Sequence, residues 1–285
     1  LSTGEWKEVI TELREWYGPF QFCLSGGEPL LRRDVYEIIR YAVKLNCYPS
    51  IITNGILLKK ENIEKLFDAG LKDIVLSLNG LTDKTHDYTR GFDGGFAKVM
   101  AAVAELKKQQ DKKGISIGIA TILMGYNLCE MADLVTWVKD NKLTKITFQA
   151  LFHETGTRDY TQNWQNQTDL WKPRGGTYSE HLDKIIDLKK KGLPISNSVE
   201  QLEHFKRYFA NPDRQLPIQC RIGIHGFFIE PNGAVKLCYL FEPAGHIFKD
   251  SPANIWNSQK ARHIRGRIKS CQLNCRLKNC NYKSS

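Results

Sequence analysis

What most constrains the fold is an alternation. Through the first half of the chain, short apolar runs are separated by stretches with helical spacing. The runs fall at residues 20–24, 49–53, 73–78, 116–122 and 145–151. Between them lie segments at 34–45, 61–69, 96–110 and 128–140, the first with Val35, Ile38, Ile39 and Ala42 on one face. Short strands alternating with helices predict an α/β protein with a parallel sheet of βαβ units. A helix is also expected at 6–16, with no strand before it to complete its unit. After residue 151 the pattern stops. Residues 154–177 read as a polar link, helices are expected at 180–190 and 199–209, and 227–237 reads as a hairpin turning at Asn232-Gly233.

In parallel α/β sheets, ligands bind beyond the C-terminal ends of the strands. The first strand ends in Ser25-Gly26-Gly27-Glu28-Pro29, where two glycines let backbone approach a ligand and Glu28 adds a carboxylate acceptor. The second ends in Thr53-Asn54-Gly55. The third ends in Ser77-Leu78-Asn79-Gly80, followed by His86-Asp87 and Arg90-Gly91. His86 and Asp87 fit either a ligand-binding role or local capping.

The 285 residues carry a net charge of +10, unevenly spread. After Asp250 there is no acidic residue, while Lys260, Arg262, Arg265, Arg267, Lys269, Arg276, Lys278 and Lys283 follow. A solvated helix face or an anionic partner, nucleic acid included, accounts for such a tail. Of eight cysteines, Cys220, Cys238, Cys271, Cys275 and Cys280 cluster near the C-terminus. Clustered cysteines in a chain with ordinary soluble composition point to metal before disulfides. Cys23, Cys47 and Cys129, in apolar context, read as small buried hydrophobes. No apolar run reaches the roughly 18 residues of a membrane span, the first residues do not read as a signal peptide, and the expected location is cytoplasmic.

The strand-end motifs, in their order, resemble those of the radical S-adenosylmethionine (SAM) enzymes. These carry Gly-Gly-Glu-Pro, Thr-Asn-Gly, Ser-Leu-Asp-Gly and His-Asp-x-x-Arg-Gly, matched here by 26–29, 53–55, 77–80 and 86–91. The resemblance covers roughly residues 5–151. It implies a partial (βα)₆ TIM-type barrel, lacking its first strand here, over residues 1–153. A helical linker at 154–215 and a small cysteine-rich domain with a β-hairpin at 216–285 would follow. It implies that Gly26, Gly27 and Glu28 hold the amino group of SAM, with Thr53 and Asn54 beside them. Ser77 and Asn79 would lie near the ribose or carboxylate, Arg90 would pair with the carboxylate, and Ile119 to Thr121 with Gln149 would lie near the adenine. Asn79 stands where Asp is usual, keeping an amide oxygen as acceptor but losing the charge.

The family's Cys-x₃-Cys-x₂-Cys loop, which holds the SAM-ligating [4Fe-4S] cluster, has no counterpart here. The chain starts at Leu1 rather than Met, and the expectation is that the loop precedes it in a longer polypeptide. Gly233-x₄-Cys238 and Cys271-x₃-Cys275-x₄-Cys280, with Cys220 upstream, are similar to the twitch or shortened SPASM extension of these enzymes. That implies one auxiliary [4Fe-4S] cluster on four of the five cysteines, Cys220 and Cys238 first, then Cys280 and Cys275. Four thiolates around structural zinc is the alternative. The implied activity is reductive cleavage of SAM to a 5′-deoxyadenosyl radical and hydrogen abstraction from a peptide or small-molecule substrate of cofactor biosynthesis. A flavodoxin or ferredoxin would be the reductant. The competing reading is a cluster-free SAM- or nucleotide-binding, or RNA-interacting, protein with a C-terminal zinc site.

Overall fold

The five apolar runs form one parallel sheet, in a computed structural model that describes residues 1–152 and 164–282, the side chains at 111–113 and 280 excepted. Ser2 and Glu5 close a capping box on α1 (Thr3–Tyr17). There follow β1 (Gln21–Leu24), α2 (Val35–Lys44), β2 (Tyr48–Thr53), α3 (Lys60–Asp68), β3 (Asp73–Ser77), α4 (Asp83–Arg90), α5 (Gly95–Lys113), β4 (Ser116–Leu123), α6 (Met131–Asp140) and β5 (Lys145–Ala150). The strands pair in chain order, all parallel, and the sheet curls into a half-barrel. Among the described residues nothing pairs with the outer edge of β1, whereas a short bridge between Ile146 and Ile195 extends the β5 edge.

The two faces of the sheet differ. Ile51, Ile74, Leu76, Ile117, Ile119, Ile146 and Phe148 are fully buried against the surrounding helices and form the main core with residues of α7 (Tyr178–Lys190) and α8 (Val199–Ala210). The alternate positions Ser50, Val75, Ser77, Ala120, Thr147 and Gln149 are only half-buried, because they line the concave face where no helix packs. Near the start of β3, Asp73 accepts from Lys145 Nζ (3.1 Å to each oxygen) and from Ser116 Oγ (2.7 Å), which closes that end with a polar floor.

The C-terminal unit comprises α9 (Ile222–His225), β6 (Phe228–Ile229), β7 (Ala234–Lys236), β8 (Gly245–His246), α10 (Pro252–Asn257) and α11 (Gln259–Ser270). The hairpin is present, but it does not turn on a two-residue Asn-Gly loop. Phe228 faces Lys236 and Ile229 faces Val235, leaving 230–233 as the connection, with Gly233 N donating to Glu230 O and Gly233 at φ +89°. Pro231 fixes the bend earlier than Asn232-Gly233 alone implies. A third strand, β8, pairs antiparallel with β7 and was not foreseen from the sequence.

Helix α1 joins the two units. Val9 packs with Ile222, Val235, Leu237 and Ile264 of the C-terminal unit, while Ile10 packs with Ile38, Ala42 and Cys47 of the barrel. At the other end the chain returns to the barrel. Asn197 exchanges hydrogen bonds with the Phe148 backbone, and the Asn279 side chain accepts from Asn197 and Gln201.

Candidate functional site

The ends of β1 and β2 are tied together by Glu28. Its carboxylate accepts from Thr53 Oγ1 (2.8 Å), Asn54 N (2.8 Å) and Leu30 N (3.2 Å). Thr53 Oγ1 in turn accepts from Gly55 N, and Asn54 Oδ1 from Ile56 N. Thr53, Asn54 and the Glu28 side chain therefore hold one another. What the turn leaves for a ligand is backbone: Gly26 at φ +131° and Gly27 are both exposed, and a Cβ on either would meet nothing within 4 Å. An ammonium group has bare carbonyls to donate to at this turn, with the neighbouring carboxylate as long-range negative charge.

The end of β3 is a second organised turn. Asn79 is 2% exposed. Its backbone N donates to His86 Nδ1 (3.2 Å), its Oδ1 accepts from Ile122 N (3.1 Å), and its carbonyl accepts from Asn127 Nδ2 (2.8 Å). One lone pair of the amide oxygen is thus engaged by the backbone, and the other remains as an acceptor. Facing Ile122 N fixes the amide orientation, and the Nδ2 group is left buried without a partner. A buried donor with no protein acceptor is open to an oxygen of a ligand or a water. Burial, then the Arg90 charge, push the His86 imidazole down to about 4, so His86 is neutral and its Nδ1 is free to accept.

Sequence reasoning missed two residues that build this turn. Asn127, fully buried, donates to Asn79 O and Ile122 O (2.8 and 2.9 Å) and accepts from Met124 N (2.9 Å). Glu130 accepts from Leu81 N (2.8 Å) and from Thr85 Oγ1. Only the polarity of Asn127 inside an apolar stretch could have signalled it.

The other expected positions divide. Ser77 and Gln149 lie on the concave face, in register with Ala120 and Ile122. Of 119–121, Ile119 and Thr121 turn into the helix-packed layer, Thr121 Oγ1 donating to Leu78 O, so Ala120 alone faces the cavity. Arg90, in the last turn of α4, is exposed, and among the described residues its guanidinium has no hydrogen-bond partner. Asp87 caps α5, accepting from Gly94 N and Phe96 N, and so belongs to the scaffold. Cys23, expected inside, is exposed on β1, because no strand covers that edge; Cys47 is buried as expected.

In the C-terminal unit, four thiols line one small cavity: Cys220 ahead of α9, Cys238 after β7, Cys271 capping α11, and Cys275 in a 3₁₀ turn at Asn274–Leu277. The fifth cysteine, Cys280, has its side chain outside the described residues. The sequence ranked Cys271 last, yet the fold brings it in, because Arg276, buried, donates to Ile218 O (2.6 Å), Leu273 O (3.1 Å) and Cys271 O and so folds that loop back. Burial, joined by repulsion from the neighbouring thiolates, pushes Cys220 and Cys238 up and Cys275 up to about 12. Four thiols gathered this way ionise together only against a compensating cationic centre. Among the described residues, however, no group of three or more His, Cys, Asp or Glu side chains is placed to hold a single metal ion. Four thiols on one cavity are the donor set of an iron–sulfur cluster, and thiolates also ligate zinc.

Comparison with known proteins agrees with both halves of this geometry. A family model described as the radical SAM superfamily matches residues 1–138, and one described as an iron-sulfur cluster-binding domain, SPASM, matches residues 220–281. An AdoMet-dependent heme synthase of Methanosarcina barkeri is 28% identical over 93% of this chain and 76% of its own length. A PqqA peptide cyclase of Ruegeria pomeroyi is 36% identical over 88% of this chain but 62% of its own, and another from Rhodopseudomonas palustris is matched over 34% of its length. Streptococcus suis SuiB bound to S-adenosylmethionine shares the fold, with a TM-score of 0.66 at 16% identity, covering 100% of this chain and 69% of that one. No helix among the described residues is long and apolar enough to cross a membrane. S-adenosylmethionine and iron–sulfur clusters are the cofactors that these two domains imply, and the chain carries a radical SAM enzyme domain over residues 1–138 and a SPASM iron–sulfur domain over residues 220–281.

Proposed function

We propose that this protein cleaves S-adenosylmethionine reductively and abstracts hydrogen from a peptide or cofactor-precursor substrate held at the open mouth of the half-barrel. The observation that carries it is the convergence of Cys220, Cys238, Cys271 and Cys275 on one cavity beside a barrel whose strand-end turns leave open glycine backbone and an unpartnered buried amide. The clusters and SAM supply the electron and the 5′-deoxyadenosyl radical when bound. The chain's own part is placement. Backbone at Gly26 and Gly27 accepts from the SAM ammonium, Asn79 Nδ2 donates to an oxygen of the ribose or carboxylate, and Arg90 pairs with the carboxylate. Ser77, Ala120 and Gln149 shape the wall. Glu28, Thr53 and Asn54 act as positioning residues that fix the two turns. The relatives named for a peptide cyclase and a heme synthase support the substrate class.

The domain boundaries that go with this reading are 1–153, 154–215 and 216–285. The seven described cysteines are free thiols, which supports a reducing, cytoplasmic location with a flavodoxin or ferredoxin as reductant. Full-length protein reconstituted anaerobically with iron and sulfide is expected to be brown, to carry about four irons per cluster, and to release 5′-deoxyadenosine when reduced with SAM. A colourless protein holding one zinc and leaving SAM intact would overturn the proposal.

A further inference from the structure

We propose that Arg276 is the counter-ion of the auxiliary centre, a positioning residue that holds two of the ligand segments and sets the centre's reduction potential. The proposal rests on the reading that Cys220, Cys238, Cys271 and Cys275 hold an iron–sulfur cluster. Arg276 is 6% exposed. Its hydrogen bonds all go to neutral carbonyls: Nε donates to Leu273 O (3.1 Å), Nη1 to Ile218 O (2.6 Å) and Nη2 to Cys271 O. Among the described residues no carboxylate pairs with it. A buried cation without a counter-charge is costly.

Tying backbone in this region does not need a charge, because neutral amides do the same work nearby. Asn274 Nδ2 donates to Pro212 O (2.8 Å) and Arg214 O (3.0 Å), and Asn281 Nδ2 donates to the carbonyl of Arg276 itself (2.8 Å). What a guanidinium adds over those amides is its positive charge. The group beside it that can use the charge is the cavity of four thiols. Arg276 follows Cys275 directly, and its side chain grips the carbonyls of Cys271 and Leu273; all three of these neighbours line the cavity. Burial pushes the Cys220 thiol up, and the Arg276 charge opposes that rise, so the charge is felt at a further ligand as well. Among the described residues that line the cavity, the one charged side chain is Lys278, half-buried over the Tyr239 ring (5.0 Å), and there is no acid. Glu242, one position beyond Phe241, is paired with Arg267 (2.5 Å).

A cluster on four thiolates is a net anion, and reduction by one electron adds a further negative charge with no bond made or broken. A fixed cation therefore favours the reduced form and raises the potential. A buried one does so with little screening by salt.

The test is a redox titration of the reconstituted holoenzyme, with dithionite as the electron donor, read from the EPR signal that SAM does not perturb, at low and at high salt. Iron content and the urea midpoint are recorded for each variant. Arg276→Lys keeps the charge and loses the fork of donors, whereas Arg276→Gln loses the charge. Arg276→Gln is expected to shift the reduced-to-oxidised ratio at fixed potential about tenfold or more toward the oxidised form, which for one electron is about 59 mV. The shift should be the same at both salt concentrations, and Arg276→Lys should titrate near wild type, although both variants are less stable. Where Arg276→Gln does not load iron, protein ligated at Cys271 to a synthetic segment with citrulline at 276 takes its place, since citrulline keeps the Nε–H and one NH₂ without the charge. Citrulline protein that loads with the lowered potential, or that fails to load where Arg276→Lys loads, supports the counter-ion role. Equal potentials in wild-type and charge-free protein, or loss of the cluster from the lysine and citrulline forms alike, would make Arg276 a brace of the loop alone and overturn the proposal. Wild-type protein that is colourless and holds zinc would overturn it at the earlier step, by removing the cluster itself.

Discussion

A single buried amide and a single buried imidazole define the end of β3. Asn79 Oδ1 accepts from Ile122 N, and its Nδ2 is the side-chain group that has no partner. Asn79→Ala is expected to weaken SAM binding about tenfold, the worth of one hydrogen bond, measurable by calorimetry. Glu28→Gln is expected to act differently. It puts an amide N–H against one of three donors and costs about 1.5–3 kcal/mol of stability, visible as a lower urea midpoint. His86 carries a pH dependence. Its imidazole sits at about 4 in the folded chain against an ordinary 6.5, so between those values the unfolded chain takes up a proton that the folded one refuses. Stability should therefore fall as pH drops through that window, by on the order of 2 kcal/mol between pH 7.5 and 5. Urea titrations of wild type and His86→Asn would test it, the variant losing this share of the slope. None of these assignments could be read from motif order, which named the residues but not which of their atoms were already bonded.

At the level of elements, the parallel strands were legible because each is a short apolar run ended by a turn, and all lie within a residue or two of expectation. Helix α4 was not, since Asp83-Lys84-Thr85-His86-Asp87-Tyr88-Thr89-Arg90 has almost no apolar face. It forms through the Thr82 side-chain cap at its start, and Gly91 at φ +62° ends it. Strand β8 escaped for a similar reason: two residues, Gly245 and His246, gain their strand character only by pairing with β7. Gly80 shows how tightly α4 is set against β3. A Cβ there would lie 2.5 Å from Thr85 Cγ2 and 2.8 Å from Thr85 Cβ. Gly80→Ala is expected to cost about 1–3 kcal/mol and to shift the His86–Asn79 contact, read as a lower melting temperature with weaker SAM binding.

Over the whole molecule, the sequence indicated two units but not how they are joined. Spacing in 6–16 announced an amphipathic helix, yet α1 is apolar on two sides, Val9 toward the cysteine-rich unit and Ile10 toward the barrel. The second junction, Asn197 and Gln201 with Asn279, is polar and long-range, and no periodicity marks such a contact. Asn197→Ala would strip partners from both Phe148 backbone groups and from Asn279. The expected loss is at least about 2 kcal/mol, measurable by denaturant unfolding.

These two junctions make the cysteine-rich unit a clasp whose ends are both fastened to the barrel. Cys220, Cys238, Cys271 and Cys275 lie between the fastenings, so anything that binds them only in the folded state adds its binding free energy to the fold. A centre loaded on them is therefore expected to tighten the barrel as well as the clasp, read as slower proteolysis of loaded than of unloaded protein.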